Sequence, residues 1–309
     1  MAALTPTRQR SAAPRRWRTL FAVGLPLLAM VIAVRSFRRE LTFYRQQRHA
    51  IARPLTGLLA DVHDVRFGSN RELRGWLLPS KNGAAVIFLH GTGADRTQLE
   101  PEAELLASHG FGVLLYDSPG HGESGGAVRW SAPEREALRA AIDVLTHEPT
   151  VDPRKLGVYG FSAGAMVSTQ VAASDQRVRA LVLSGAFSST AALTRFQNRR
   201  YGSLSELPAL WADVWASGSR ETLRPVDVIS LIAPRPVLML AGEDDPVVPR
   251  DETNALFEAA REPKTLLTVP GAGHGGLLRA QPTLVGRALL DFFNHNLDVQ
   301  PQTAAAAGD

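Results

Sequence analysis

The sequence predicts an α/β domain with a mostly parallel central sheet and helices on both faces. Short apolar runs, typical of strands covered on both faces, alternate with longer segments of helical periodicity. The length of 309 residues, with 45% hydrophobic and 21% charged residues, fits one large domain with additional segments. Wholesale disorder and a multi-span membrane protein are excluded by this composition.

Seven segments predict the strands: 72–79, 84–89, 111–116, 156–159, 178–183, 237–240 and 266–269. Helical spacing is found at 96–108, 132–146, 163–173, 250–260 and 282–297. In a parallel sheet of this kind, ligands bind beyond the carboxyl ends of the strands. The residues that follow each strand are therefore the candidates for chemistry.

One segment interrupts the alternation of strands and helices. Residues 188–231 contain aromatic and leucine side chains but no strand pattern, so we expect a helical insertion above the strand ends, called the lid below. The body of the domain is expected at 54–297. Residues 298–309 contain four successive alanines and are expected to form a disordered tail.

Basic charge is concentrated at the N-terminus. Residues 1–53 contain eleven arginines and one acidic residue, Glu40, whereas the rest of the chain has 29 acidic and 23 basic residues. A nucleic-acid-binding domain is disfavoured, because the body of the protein is mildly acidic.

Residues 19–34 form an uncharged apolar segment flanked by arginines on both sides. This pattern predicts a single N-terminal membrane anchor, slightly short of a typical bilayer core. A secretory signal peptide is the alternative, although no Ala-x-Ala cleavage site follows. The equal arginine flanks leave the side of the membrane open. Alternatively, the functional role of the basic segment is to bind anionic lipid, and it carries the rest of the chain to the lipid surface.

The chain lacks cysteine and the common nucleotide-binding and metal-binding motifs, which limits the kinds of reaction it could catalyse. The chain has no cysteine, which excludes disulfides, thiol nucleophiles and cysteine-based zinc sites. Neither a Gly-x-x-x-x-Gly-Lys loop nor a dinucleotide-binding glycine motif after the first strand is present, and the histidines lack metal-ligand spacing. No cofactor and no metal is therefore predicted.

The strand at 156–159 leads into the motif Gly160-Phe161-Ser162-Ala163-Gly164, and a helical segment follows. A serine in this strand–turn–helix context occupies a tight turn that exposes its hydroxyl. The flanking glycines permit close backbone packing around that turn. Ser162 is therefore the predicted nucleophile.

A serine nucleophile needs a base, and the base needs an acid that orients it. His274 lies in a glycine-rich loop after the strand at 266–269 and is the predicted base. Three acids follow the strand at 237–240. Asp245 fits the Asp-x-x-Val-Pro spacing usual for this acid, and Asp244 is the alternative.

An oxyanion hole needs two preorganised N–H donors. The backbone N–H of Ala163 follows the nucleophile directly, and Thr92 in the loop His90–Gly93 is the predicted second donor. The loop 117–124 reads either as a turn that supports the active site or as the source of a second catalytic histidine or a metal site.

In this order and spacing, the motifs HGTG, YDSPGHGES, GFSAG, GEDDPVVP and GAGHGG resemble those of the α/β-hydrolases over residues 60–297. The branch with most similarity contains bacterial esterases, serine-aminopeptidase-like hydrolases and membrane-associated acyl thioesterases. The resemblance implies an α/β-hydrolase fold with a lid between the sixth and seventh strands. It also implies cofactor-free hydrolysis through an acyl-enzyme.

The expected function is hydrolysis of a carboxylic ester or thioester of a small molecule. Lid aromatics predict an apolar substrate pocket that includes Trp211, Trp215 and Phe161, suited to a medium-length acyl chain. Alternatively, the lid side chains only pack the lid onto the body of the domain. Peptidase and acyltransferase activities with the same triad remain open. A non-catalytic hydrolase-like membrane scaffold is the alternative from another class.

Overall fold

The computed structural model describes residues 15–45, 48–52, 57–218 and 223–300. Eight strands in this part form one sheet, in the spatial order β1-β2-β4-β3-β5-β6-β7-β8. They are β1 (His63–Phe67), β2 (Leu73–Leu78), β3 (Ala85–Leu89), β4 (Gly112–Tyr116), β5 (Leu156–Phe161), β6 (Ala180–Ser184), β7 (Val237–Gly242) and β8 (Lys264–Val269).

The α-helices are α1 (Arg15–Leu41), α2 (Glu100–Ser108), α3 (Ala132–Thr146), α4 (Ala163–Ala172), α5 (Thr190–Arg199), α6 (Glu206–Ser217), α7 (Pro225–Val228), α8 (Arg250–Ala259), α9 (Leu277–Ala280) and α10 (Pro282–Asn296). β1 and β2 are antiparallel, β2 and β4 are antiparallel, and all other strand pairs are parallel. The carboxyl ends of six strands, β3 to β8, therefore meet at one edge of the sheet.

β3 shows how the two faces of the sheet are covered. Its residues Ile87 and Leu89 belong to one buried cluster, whereas Val86 and Phe88 belong to another, as the two-residue period of a strand requires. The first cluster includes apolar residues of α3 and α4, and the second includes those of α2 and α10. Helices on both faces explain why the strand is apolar throughout.

α3 has the clearest local signals and matches its predicted bounds. Its apolar residues Leu138, Ala141, Ile142 and Leu145 are all fully buried against the sheet. At its start, the Glu134 side chain accepts a hydrogen bond of 2.7 Å from the backbone N–H of Ser131. This contact is one half of a capping box and satisfies a backbone donor outside the helix.

The predicted fold class is confirmed, and each of the seven predicted strands is present with bounds shifted by a few residues. β1 was not predicted. It is an edge strand on which His63 and Asp64 are exposed and only Phe67 is buried, so it lacks the apolar run that marks the others.

The lid region contains α5, α6 and α7 and lies in the chain between β6 and β7. Its longest helix, α6, packs against the C-terminal part of α1. Leu41 is buried with Ala212 and Ala216 of α6, and the rings of Phe37 and Trp215 lie 6.2 Å apart. The basic N-terminal segment is thus joined to the lid through apolar contacts.

The predicted anchor, residues 19–34, falls within α1. Among the described residues, no helix is both long and apolar enough to span a bilayer. The side chains of residues 15–22 lie outside the described part.

At the other terminus, one residue of the predicted tail packs onto the domain, whereas its neighbours Asp298 and Gln300 are exposed. Val299 is buried, and its backbone N–H donates a hydrogen bond of 2.9 Å to the carbonyl of Asn294. Residues 301–309, which carry the rest of the predicted tail, lie outside the described residues.

Candidate active site

Ser162 lies on the turn between β5 and α4. Its backbone has φ 53° and ψ −117°, a conformation that is costly for a residue with a side chain. Its N–H donates a hydrogen bond of 2.8 Å to the carbonyl of Ser184 at the end of β6. The neighbouring strand therefore holds the strained turn in place.

The two flanking glycines make this turn possible. A Cβ atom at Gly164 would lie 2.5 Å from the carbonyl oxygen of Leu89 and 2.6 Å from that of His90. At Gly160, a Cβ atom would lie 2.6 Å from the carbonyl oxygen of Gly164. Any side chain at either position would push backbone atoms apart, so only glycine fits.

The predicted triad residues lie in one hydrogen-bonded row. His274 Nε2 is 3.0 Å from Ser162 Oγ, and His274 Nδ1 is 2.8 Å from Asp245 Oδ2. An ionised carboxylate can only accept, so Nδ1 carries the proton and Nε2 is free to accept one from the serine hydroxyl. This is the geometry that a nucleophile, a base and an orienting acid require.

The Asp245 carboxylate is held by its own loop as well as by His274. Its Oδ1 accepts hydrogen bonds from the backbone N–H groups of Val247 (2.8 Å) and Val248 (2.9 Å). Burial raises the pKa of Asp245, but the hydrogen bonds from His274 and the loop outweigh burial and hold the pKa below its usual value. The carboxylate therefore stays ionised.

The neighbouring acids are placed differently. Asp244 is exposed, and Glu243 is exposed with its Oε2 accepting a hydrogen bond of 3.3 Å from the Gly271 N–H. Asp245 is thus the acid that contacts His274, and the alternative Asp244 does not.

A cavity of about 170 Å³ opens onto this row of side chains. Thr92 and Ala163, the predicted oxyanion donors, both lie in its wall beside Ser162 and His274. Ala163 is the first residue of α4, and the N–H groups of a first helical turn have no partner within the helix. The Ala163 N–H can therefore serve a ligand oxygen, whereas those of Ala165 and Met166 donate to the Ser162 carbonyl. The helix dipole favours negative charge at this end of α4.

The three predicted pocket residues lie elsewhere. Trp211 and Trp215 are on the outer face of α6 with 74% and 66% of their surface exposed, and neither lines the cavity. Phe161 is buried with its ring 4.9 Å from the His274 ring, and it lines a separate cavity behind the site. It packs against His274 and does not line the cavity beside Ser162.

Other residues form the cavity wall. Its apolar side consists of Met166, Phe187, Leu193 and Val247. Its polar side includes Glu40 and Tyr44 of the N-terminal segment and Asp213 of α6, which sequence reasoning missed. One signal was available, because Glu40 is the only acidic residue among the eleven arginines of residues 1–53.

The loop 117–124 supports the site. Asp117 is fully buried and accepts hydrogen bonds of 2.9 Å from the N–H groups of Arg96 and Glu123. His90 accepts a hydrogen bond of 2.9 Å from Ser118 N–H and stacks edge-on with His121. Burial, with a smaller effect of His121, lowers the pKa of His90 to about 3.

These loop contacts match the supporting role expected for the loop. Within the described part of the chain, no group of three or more histidine and acidic residues is arranged to hold a metal ion.

Two family models match the chain. The model of the α/β hydrolase fold matches residues 84–217, and that of the TAP-like proteins matches residues 209–296. An uncharacterized protein of Mycobacterium tuberculosis is 31% identical over 284 residues, which cover 87% of this chain and 92% of that protein.

Relatives whose names include an activity are more distant. A polyketide transferase of Penicillium, GrgF, is 26% identical over 284 residues, covering 76% of this chain and 96% of its own. Its crystal structure, an α/β hydrolase, superposes with a TM-score of 0.64 at 24% identity over 77% of this chain and 99% of that one. The Pyrococcus furiosus esterase Pf2001 gives a TM-score of 0.68 at 21% identity over 82% and 99%. At this identity the two structures establish the shared fold alone.

Proposed function

The chain belongs to the α/β-hydrolase superfamily, and from that premise we propose that it is a serine hydrolase of carboxylic esters or thioesters. The observation that carries the proposal is the row of hydrogen bonds from Asp245 through His274 to the Ser162 hydroxyl, at 2.8 and 3.0 Å. The neighbouring cavity, with the predicted oxyanion residues Thr92 and Ala163 in its wall, is additional support.

In the proposed reaction, Ser162 Oγ attacks the carbonyl carbon of the substrate while His274 Nε2 takes the hydroxyl proton. Asp245 orients the imidazole ring and stabilises its positive charge. The N–H groups of Thr92 and Ala163 bind the oxyanion of the tetrahedral intermediate. His274 then donates the proton to the departing alcohol or thiol, which leaves an acyl group on Ser162.

Deacylation repeats these steps with water. His274 removes a proton from a water molecule that attacks the acyl carbonyl, and the second tetrahedral intermediate collapses to the free acid and the Ser162 hydroxyl. No cofactor enters the reaction. The apolar wall of Met166, Phe187, Leu193 and Val247 favours an acyl group with an apolar stem.

Hydrolysis of p-nitrophenyl esters of increasing acyl length tests the proposal. We expect a burst of p-nitrophenol from the full chain, a chain-length optimum, and labelling by a fluorophosphonate probe. Ser162→Ala should abolish all three, because loss of a triad member costs about 10⁴–10⁶ in turnover. Ser168→Ala is the matched control, since Ser168 is a buried serine of α4 outside the cavity wall.

The same assay separates the alternatives. Labelling without ester turnover would indicate a working nucleophile with another acyl donor or acceptor, as in a peptidase or acyltransferase. The similarity to the polyketide transferase GrgF makes acyl transfer the first of these to test. Folded protein that neither labels nor turns over esters would favour the non-catalytic scaffold. A Ser162→Ala variant with more than about a tenth of the activity would contradict the assignment.

We propose further that the protein rests on a lipid surface. Leu207, Trp211 and Trp215 form an exposed apolar stripe on α6, each more than 65% exposed. They lie beside α1, whose segment 23–34 is largely exposed and apolar. Tryptophan favours the membrane–water interface, because its ring can lie in the apolar region while its N–H donates a hydrogen bond on the water side.

Sedimentation with vesicles of equal parts phosphatidylcholine and phosphatidylglycerol tests this association. We expect the full chain to sediment with the vesicles and the double variant Trp211→Ser, Trp215→Ser to remain largely in solution. Leu231→Ser, at an exposed leucine outside the stripe, is the control. Equal binding of the double variant and the wild type, or no binding of either, would contradict the proposal.

A further inference from the structure

The active-site cavity has an unusual polar end. Glu40 lies in its wall with only 5% of its surface exposed, and no described residue donates a hydrogen bond to its Oε2. Asp213, across the cavity wall on α6, is 8% exposed. Two buried acidic side chains thus line one cavity, and one has an oxygen without a partner.

Hydrogen bonds from Asn198 and Thr194 and the charge of Arg39 stabilise the ionised form of Glu40, but they leave its Oε2 without a partner. The Arg39 guanidinium donates a hydrogen bond to Asn198 and lies 3.8 Å from the centre of the Tyr201 ring. The Tyr44 hydroxyl donates a hydrogen bond to Asp213. Because a buried acceptor without a partner costs free energy, its presence in a cavity wall indicates that a ligand completes it.

The charge of this polar end depends on a small set of groups. Burial and the charge of Asp213 raise the pKa of Glu40, the hydrogen bonds from Asn198 and Thr194 and the charge of Arg39 lower it, and the net result is a pKa of about 7. Burial also raises the pKa of Asp213, against the hydrogen bond from Tyr44. Above neutral pH, the cavity wall therefore presents negative charge to a ligand.

We propose that Glu40 and Asp213 form a subsite for an ammonium group of the substrate. An apolar stem along Met166, Phe187 and Leu193 connects this group to the carbonyl at Ser162. An ammonium group supplies N–H donors, one of which can bond the unpartnered Oε2 of Glu40. Its positive charge also offsets the repulsion between the two carboxylates. The inference rests on the proposed function for the position of the acyl group and deepens it by naming the substrate class.

Calorimetric titration of the full chain with n-alkylammonium ions tests the subsite without any need for turnover. Butyl-, hexyl- and octylammonium are compared with the alcohols of equal length at about pH 8, where Glu40 is mostly ionised. We expect the best ammonium ion to bind about tenfold more tightly than its alcohol, because hydrogen bonds to charged groups are the stronger ones. The length that binds best reports the distance spanned by the stem.

Glu40→Gln keeps the shape of the side chain and removes its charge. The variant should therefore bind the ammonium ion and the alcohol of equal length with equal affinity. Asp213→Asn should reduce the preference as well and is the second variant if Glu40→Gln fails to fold. The matched control is Glu102→Gln. Glu102 is also 5% exposed, burial raises its pKa to about 7, and it lies outside this cavity wall. Its variant should keep the full preference.

Three outcomes would overturn the subsite: no preference for ammonium in the wild type, a preference that Glu40→Gln leaves intact, or one that Glu102→Gln removes equally. Fluorophosphonate labelling in the presence of hexylammonium separates this inference from the proposed function. Labelling that hexylammonium does not slow, with no preference in the titration, rejects the subsite alone. Failure to label, with Glu40-dependent binding of hexylammonium, rejects the serine hydrolase alone.

Discussion

The hydroxyl group of Tyr44 donates a hydrogen bond to the carboxylate of Asp213, although 169 residues separate them in the chain. Tyr44 follows the N-terminal helix α1, and Asp213 lies on the lid helix α6. The cavity above Ser162 is therefore enclosed partly by residues that precede the sheet. Deletion of this segment should therefore alter the substrate space.

Deleting residues 1–53 should weaken substrate binding and leave the nucleophile reactive. The deletion removes Glu40, Phe43 and Tyr44 from the cavity wall, whereas Ser162 and His274 keep their own elements. We expect KM for p-nitrophenyl butanoate to rise about tenfold, because the substrate would lose roughly 50 Å² of apolar contact with the cavity wall. Fluorophosphonate labelling should continue. Deleting residues 1–22 is the control, and an equal rise in KM there would show that the wall residues are not the cause.

Asp245→Asn should reduce kcat by about 10⁴ with a small change in KM, because an amide no longer fixes the tautomer that leaves His274 Nε2 as the acceptor. Asp244→Asn changes a neighbouring exposed acid and should remain within a few-fold of the wild type. Steady-state kinetics on the best ester of the series measures both. A larger loss for Asp244→Asn than for Asp245→Asn would exchange the two assignments.

Gly164→Ala should destabilise the protein by about 1–3 kcal/mol or more, since the added Cβ has no space between two backbone carbonyl oxygens. The matched change is Gly286→Ala within α10, where the nearest atoms would be 3.6 Å away. It should raise the free energy of unfolding by up to about 1 kcal/mol through helix propensity. Urea unfolding followed by circular dichroism measures both variants. Equal effects would contradict the close approach of Leu89 to α4.

The buried, neutral His90 should make stability fall in acid. Its folded pKa is about 3, well below the value of about 6.5 for an unfolded histidine, so the unfolded chain binds a proton more readily. The stability that depends on His90 being neutral is fully present above about pH 6.5. It is lost as the pH falls toward 3, by up to about 1.4 kcal/mol of unfolding free energy per pH unit.

His90→Gln should therefore show a shallower fall of unfolding free energy between about pH 7 and pH 5 than the wild type. Urea unfolding at a series of pH values gives the two slopes. His63→Gln, at an exposed position of β1, controls for the substitution itself. Identical slopes for wild type and His90→Gln would mean that His90 is charged in the folded protein at these pH values.

Local patterns were sufficient for most of the fold and for the position of the candidate triad. Apolar runs identified seven of the eight strands, and helical spacing identified α3 to the residue. Parallel strands end at one edge of the sheet, so loops far apart in sequence could be expected to meet there. The distances from Ser162 to His274 and from His274 to Asp245 agree with that expectation.

The composition of the lid did not show which face of its helix turns inward. Trp211 and Trp215 were expected in the pocket because the lid is rich in aromatic and leucine side chains, yet they lie on the outer face of α6. The face of a lid helix that turns inward is decided by its neighbours. Here α1 packs against Ala212 and Ala216, which leaves both tryptophans outside.

The sequence by itself determined the fold class, the strained turn at Ser162 and the order of the residues around it, because these depend on local spacing and on the geometry of parallel sheets. Only the tertiary structure decided that Glu40 and Tyr44 of the N-terminal segment enclose the cavity together with Asp213. That contact depends on how two helices, far apart in the chain, pack against each other, and no local pattern contains this information.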